Sequence, residues 1–304
     1  MKKLKISWIK VISIVLMCGI SFYTLTFGIK RATDFEIYKK PTISTKIYNV
    51  WHIETFEGGG KARISYLNNV ARKLEKENPG VLFAVKQIEP SKLENLIATQ
   101  TPDIISFGYG VGKIILPHLI ELDSTFDIRD ELVESGTFNN KLYALAYIVS
   151  GYAFFEHGGN NENFLCGTNS YTKPENIYND LNLTPAKQQS QYQAYQDFVN
   201  TKNTKLLGTA RDVFRVENLN NIGRISASIL PVKTYTDLIQ YIGVSTLDEN
   251  SKLFLKTALS FDYQSTLTQY SLFSSSYNKL YSLGIYNDME NAILNCKIAK
   301  VFDD

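Results

Sequence analysis

Glu54 and Glu57 stand three residues apart, directly before Gly58, Gly59 and Gly60, in the stretch IYNVWHIETFEGGG. Two carboxylates at one glycine turn have the makings of an acid–base pair, since unequal surroundings keep one protonated and the other ionised. Asp103 would join them if PDIISF brings it to the same rim. Acids at strand ends more often hold a ligand by hydrogen bonds or face water, so catalysis is the minority reading. Arg211, Asp212 and Arg215 form a second cluster in TARDVFRV. It fits either a salt bridge between two parts of the molecule or a contact with a ligand. Trp51, Tyr109, Tyr147 and Tyr152 offer flat apolar faces with polar edges, which suit the C–H faces and hydroxyl edges of sugars. For each aromatic taken alone, core packing is the plainer role.

Other chemistries are excluded by pattern. FGYGVGKII imitates a phosphate loop, but Phe107 stands where the first Gly is required and Ile114 replaces the Ser or Thr. Its spacing is G-x-G-x-G, not the G-x-G-x-x-G of a dinucleotide turn. There is no G-x-S-x-G, H-E-x-x-H or C-x-x-C, and His52, His118 and His157 are scattered. No cofactor and no metal site are expected. Cys166 and Cys296 either pair or remain two small unpaired residues, and spacing does not choose between these.

Several elements must position these groups. Lys46–Ile53 mixes β-branched and aromatic residues and reads as a buried strand. From Lys61 to Glu77 the residues Ile64, Leu67, Val70, Ala71 and Leu74 recur at helical spacing, and Asn78-Pro79-Gly80 stops that helix. A strand over 81–88, a short helix over 90–98 and a strand over 103–107 follow. This β-α-β-α-β order favours parallel pairing with right-handed crossovers. The glycine turns Glu57 to Gly60 and Gly108 to Gly112 then belong side by side at the carboxyl ends of strands, where such sheets bind ligands. Phe138–Phe155 is too long for one strand, and Ser150-Gly151 within it reads as a passage from one lobe into another. Further on, a helix is expected over 184–200, a strand over 205–208, a polar loop over 217–223 and a strand over 225–230. Thr246-Leu247-Asp248-Glu249 has the form of a capping box before the next helix.

The 304 residues carry 32 basic and 30 acidic side chains, but Lys2, Lys3, Lys5, Lys10 and Lys30 all fall in the first 30 residues, which hold no acid. The remainder has 27 basic against 30 acidic residues. It is mildly acidic, without a basic stripe, so nucleic acid is not an expected partner. Residues 11–29 are an uncharged run of 19 behind a Lys-rich start, the pattern of a signal segment or a membrane anchor. The positive-inside rule places the rest of the chain outside the cytoplasm. V-L-M-C-G also permits lipid attachment at Cys18, although Met17 stands where a small residue is usual.

The order of these features carries a family likeness: a strand with Trp51 and a Gly-rich turn, a helix closing on ENPG, then PDIISFGYG, KLYALAYIVSGY and YTDLIQYIGVST. It resembles bacterial extracellular solute-binding proteins of ABC importers, particularly the sugar-binding group. The resemblance implies an α/β, two-lobe, periplasmic-binding-protein-like clamp with parallel or mixed sheets. Residues 1–31 would be signal or anchor and 32–45 a linker. Residues 42–148 with 238–275 would form one lobe, and 149–237 with 276–304 the other, with crossings near Ser150-Gly151 and Ile242-Gly243. It further implies ligand contacts from Trp51, Glu54, Glu57, Gly58, Gly59, Phe107, Gly108, Tyr109, Tyr147 and Tyr152, to which the basic cluster adds Arg211. The implied partners are a sugar-like small molecule, ABC-transporter permeases and, through the N-terminus, the outer face of the cell membrane. The alternatives are a membrane-tethered sensor or interaction module feeding a signalling partner, and a hydrolase using the rim acids.

Overall fold

A computed structural model describes residues 15–24, 45–123, 126–159 and 163–303. The chain divides into two units, Met1–Thr45 and Lys46–Asp304. In the first, residues 15–24 are helical, with Val15, Leu16, Met17, Ile20, Phe22 and Tyr23 exposed. Among the described residues no helix is long and apolar enough to cross a membrane. The rest of the expected 11–29 run, and the 32–44 linker, lie outside the described residues.

The second unit holds two main sheets and two small two-stranded ones, Thr137–Phe138 with Lys141–Leu142 and Tyr235–Thr236 with Lys297–Ile298. Its main elements are β1 (Lys46–Ile53), α1 (Ile64–Glu77), β2 (Val81–Ile88), β3 (Ile104–Gly108), β4 (Leu145–Val149), β5 (Tyr152–His157), β6 (Asn163–Cys166), α2 (Gln191–Asn200), β7 (Thr204–Thr209), α3 (Ala210–Asn221), β8 (Ala227–Pro231), β9 (Ile239–Val244), α4 (Glu249–Leu259) and α5 (Gly284–Ile293). The first sheet has the order β2-β1-β3-β9-β4 and the second β8-β5-β7-β6. β1 is parallel to both β2 and β3, whereas β9 runs antiparallel to β3 and β4. The sheet is therefore mixed, with its parallel part where the β-α-β-α-β reading put it. Strand order reverses at β1, which lies between β2 and β3, so a crevice opens beyond the carboxyl ends of β1 and β3.

α1 buries Tyr66, Leu67, Val70, Ala71 and Leu74 against Tyr48, Val50 and Phe83, with Phe254 and Leu255 of α4 in the same apolar layer. A second apolar body continues from Ile53, Ile105 and Phe107 of the first sheet to Phe155, Leu206 and Val213 around the second. The chain leaves the first sheet at Ser150–Gly151 and returns through Asp237–Leu238, between β8 and β9. Ile242 and Gly243, near which the resemblance implies a crossing, lie within β9 and pair with β3.

Three local boundaries also differ from the sequence reading. α2 starts at Gln191, because Ser190 and Gln193 form a reciprocal capping box. TARDVFRV opens α3, and that helix runs through the expected polar loop to Asn221. Thr209 caps it, its side chain accepting from the Arg211 N–H while Asp212 accepts from the Thr209 N–H at 3.0 Å. Finally, α4 is capped by Asp248, which accepts from the Ser251 N–H at 2.9 Å, rather than by Thr246. Asp248 also binds Lys46 and Tyr48 of β1, and these tertiary partners fix where the helix begins. Thr209→Ala removes the α3 cap and is expected to lower unfolding stability by about 1 kcal/mol, read as a lower denaturant midpoint with an unchanged slope.

Candidate functional site

The loop after β1 and the first turns of α3 face each other across the two sheets. Glu54, Glu57, Lys61, Arg63, Arg211 and Arg215 line a cleft of about 270 Å³ together with Phe56 and Gly58. The first four come from the β1–α1 loop and the last two from α3. Arg211 Nη1 donates to the Gly59 carbonyl at 3.0 Å. Arg215 Nη1 lies 3.2 Å from Glu57 and 3.1 Å from Asp212. The basic cluster thus bridges the two halves of the clamp, and Arg211 with Arg215, one helical turn apart, shares a face toward the cleft.

The loop reaches further than its polar sequence implies. Phe56 is buried among Tyr152, Phe154, Phe164 and Leu207 of the second sheet. The Arg63 guanidinium lies 4.0 Å from the centroid of the Phe56 ring, and its Nη2 donates to the Phe56 carbonyl at 2.7 Å. Gly59 has φ +72°, and a Cβ there would strike the Tyr270 carbonyl, so the turn needs glycine. Burial of the Phe56 ring contributes about 1.5–3 kcal/mol. The half-exposed Arg215–Glu57 pair contributes at most about 1 kcal/mol. Closure rests chiefly on the ring.

Behind the cleft runs an enclosed polar chain. His52 and Ser106 are fully buried. His52 Nε2 lies 3.0 Å from Glu54 Oε1, and its Nδ1 lies 2.9 Å from Ser106 Oγ. Burial pushes the imidazole pKa down, so the ring is neutral. Its Nε2–H donates to the carboxylate, and Nδ1 accepts from the Ser106 hydroxyl. The Tyr147 hydroxyl, 2.9 Å from Ser106 Oγ, must then donate to it, and Gln240 Nε2 donates at 3.0 Å. The composition is that of a Ser–His–acid relay, but the Ser106 oxygen is enclosed by three partners and reaches no cleft. Burial raises the Glu54 carboxyl, yet the His52 hydrogen bond, the Arg63 charge and the Arg63 N–H outweigh it and hold the group at about 2. Glu54 is an ionised, fixed acceptor and not a proton donor at neutral pH. The cysteines are unpaired, with Cys166 buried and Cys296 half-buried. Burial pushes their thiols up, to about 12 and about 11. No group of metal-ligating side chains occurs among the described residues.

The residues singled out by sequence fall into three places. Glu54, Glu57, Gly58 and Arg211 line the cleft, with Gly59 at its edge. Tyr109 lines a second cleft of about 210 Å³ with Lys113, Tyr171 and Lys173, and the Lys173 ammonium lies 5.2 Å from its ring centroid. Trp51, Phe107, Tyr147 and Tyr152 are buried. Phe107 packs on Tyr241 and Phe302, while the Tyr152 hydroxyl donates to Asp237 at 2.8 Å. Gly108 lies against Thr55. Asp103 does not reach the rim. It precedes β3, at the amino end of the parallel strands, and accepts from the Asn49 N–H. Phe56, Arg63 and the His52–Ser106 chain are not named as site groups by the sequence, whereas Arg215 belongs to the TARDVFRV cluster, whose salt-bridge reading fits its contacts with Glu57 and Asp212. Arg63 did leave a signal, since a basic residue falls on the apolar face of α1, four before Leu67 and seven before Val70.

No protein-family model matches the chain, and no curated protein matches it in sequence. Solved structures do match in fold. The acarbose-binding GacH receptor of Streptomyces glaucescens aligns with TM-score 0.59 at 13% identity, over 83% of this chain and 87% of that one. A two-component system protein that mediates signal transduction aligns with TM-score 0.57 at 14% identity, over 85% and 97%. Thiaminase I from Bacillus thiaminolyticus aligns with TM-score 0.58 at 11% identity, over 83% and 94%. The fold is therefore a two-lobe, periplasmic-binding-protein-like α/β clamp, shared with these solved structures. That one architecture hosts a receptor, a signalling protein and an enzyme, so function is argued from the site.

Glu54 gives a pH signature. A carboxyl held at about 2, against an ordinary 4.5, contributes stability that is present above pH 4.5 and lost as pH falls through 2. Glu54→Gln is expected to flatten the acid limb of stability between pH 5 and 2, read by denaturant midpoints across that range.

Proposed function

We propose that the chain is an extracytoplasmic solute-binding protein, without catalytic activity, that closes its two lobes on a small polar ligand of the carbohydrate class and delivers it to an ABC importer. The observation that carries this reading is the cleft itself. Its donors and acceptors come from both lobes, and it lies beyond the carboxyl ends of β1 and β3. A ligand touching both lobes favours the closed state by its differential affinity, so binding and closure are one equilibrium. The enclosed Ser106 oxygen and the protonated thiols support a binding role over turnover. Tethering by residues 11–29, or by lipid on the exposed Cys18, would keep the clamp at the outer membrane face beside its permease.

A sensor feeding a signalling partner is the second reading. It is favoured by contacts that hold the lobes together through Phe56 and Arg215, because a clamp with its own closing contacts can report occupancy by a small change in them. The two readings share the first measurement, thermal unfolding of the full chain against sugars, oligosaccharides, amino acids, peptides and anions. A ligand specific to the folded state is expected to add about 2.7 kcal/mol at a hundred times its dissociation constant. A shift with one polar ligand class supports the binding reading. The absence of any shift, with hydrolysis of a sugar polymer in the same samples, would replace it with the enzyme.

A further inference from the structure

The cleft is unevenly charged. Lys61, Arg63, Arg211 and Arg215 face Glu54 and Glu57, four cations against two carboxylates. Glu54 is taken by Arg63, whose Nε lies 3.6 Å from it, and Arg215 is shared between Glu57 and Asp212, which lies behind it on the same helix. Among the described residues no carboxylate lies within ion-pair distance of Arg211 or Lys61. Arg211 meets a neutral carbonyl, and Lys61 lies 5.8 Å from the Tyr270 ring centroid. Arg63 adds an independent sign. It is 1% exposed, yet its Nε and Nη1 have no hydrogen-bond partner. Nη1 lies beside the cleft residue Gly58, where a Cβ would come within 2.9 Å of it. Buried guanidinium N–H groups without acceptors are costly, and the acceptors that satisfy them best are anionic oxygens.

From this geometry we infer that the ligand of the cleft carries an anionic group, a carboxylate or phosphate on a sugar-sized polar molecule, bound by Arg211 and Arg215 with Lys61 and Arg63 around it. The inference rests on the ligand-capture reading and narrows its ligand class. Two groups of the protein occupy the anion's place: the Glu57 carboxylate on Arg215 and the Gly59 carbonyl on Arg211. Both come from the first lobe, and both arginines come from the second. An incoming anion exchanges one carboxylate for another at Arg215 and replaces a neutral acceptor at Arg211. Glu57, whose side chain is 42% exposed, swings to solvent at little cost. A neutral sugar offers Arg211 and Lys61 no compensating charge, and a cationic one is repelled.

The test is calorimetric titration of the full chain in detergent with trigalacturonate, glucose 6-phosphate and maltotriose, at about 50 and about 300 mM salt. The inference expects trigalacturonate or glucose 6-phosphate to bind, severalfold more weakly at the higher salt because exposed charge is screened. Arg211→Gln and, separately, Lys61→Gln should weaken that anion at least tenfold without lowering the melting temperature. Glu57→Gln should tighten it by removing the competing carboxylate. Binding of maltotriose alone, indifferent to salt and to Arg211→Gln, overturns the anionic class and leaves the receptor reading intact. If all three probes fail on protein that melts cooperatively, the anionic-sugar assignment falls, and the receptor reading falls with it only when the thermal-shift panel is silent as well. Anion binding unchanged in both Gln variants of the cations also overturns the assignment.

Discussion

The buried hydrogen-bond chain from Tyr147 through Ser106 and His52 to Glu54 sets the terms for the rest of the cleft. Polar atoms removed from water must find partners or forfeit their hydration. Here the accounting at Ser106 and His52 closes: one hydroxyl proton, two lone pairs and two ring nitrogens are each used. The chain crosses three strands, β1, β3 and β4, with Gln240 adding β9. A one-residue slip of any of them would leave its members orphaned. The same bonds fix the imidazole tautomer and aim its Nε2–H at Glu54. A carboxylate so held is a rigid wall for the β1–α1 loop, and it also claims the backbone N–H of Arg63. That contact helps explain why α1 begins at Ile64 and not at Lys61, where apolar spacing alone would start it.

Around that wall, apolar and ionic contacts divide the work. Phe56 supplies most of the closing energy, because removing an aromatic ring from water outweighs a partly hydrated ion pair. The arginines supply direction, since planar forks discriminate among acceptors in a way that an apolar ring cannot. Stacking of Arg63 on Phe56 joins the two effects, as a weakly hydrated cation tolerates an aromatic face.

How much of this was legible depended on whether the signal was local. The strand–turn–helix at 46–77, the parallel trio β1–β2–β3 and the break at Ser150-Gly151 follow from periodicity and glycine placement, and each is present. The cleft's acidic and basic residues, Glu54, Glu57 and Arg211, were nameable because charged groups beside glycine turns are conspicuous. What was hidden was tertiary. Trp51, Phe107, Tyr147 and Tyr152 carry side chains that suit a sugar site equally well as a core, and only packing shows that they are buried. Phe56 is the lone aromatic in a polar turn, but its pocket is assembled from residues between about one hundred and one hundred and fifty positions away. α4 begins two residues later than the Thr246 capping box predicts because Asp248 answers to Lys46 and Tyr48, which no local pattern contains. Asp103 precedes β3, and because β1 and β3 are parallel that end lies a strand's length from the rim beyond Ile53, so the strand reading itself already argues against its joining Glu54 and Glu57.

The last described residues have a mechanical consequence. Lys297–Ile298 pairs with Tyr235–Thr236, and Ala299 packs against the apolar cluster of the second sheet. Two residues later, Val301 donates its N–H to Ser135, and Phe302 wedges against Phe107, Phe138 and Tyr143 of the first lobe. This third strand of connection is a leash. Three residues of extended chain span about 10 Å at most, so the lobes cannot part by more than that beside Phe302 while both ends stay docked. The two other crossings, next to β4 and β9, lie on the same flank. Any separation of the two sheets is therefore limited at this flank by the length of those three residues, whatever happens at sites farther from Phe302.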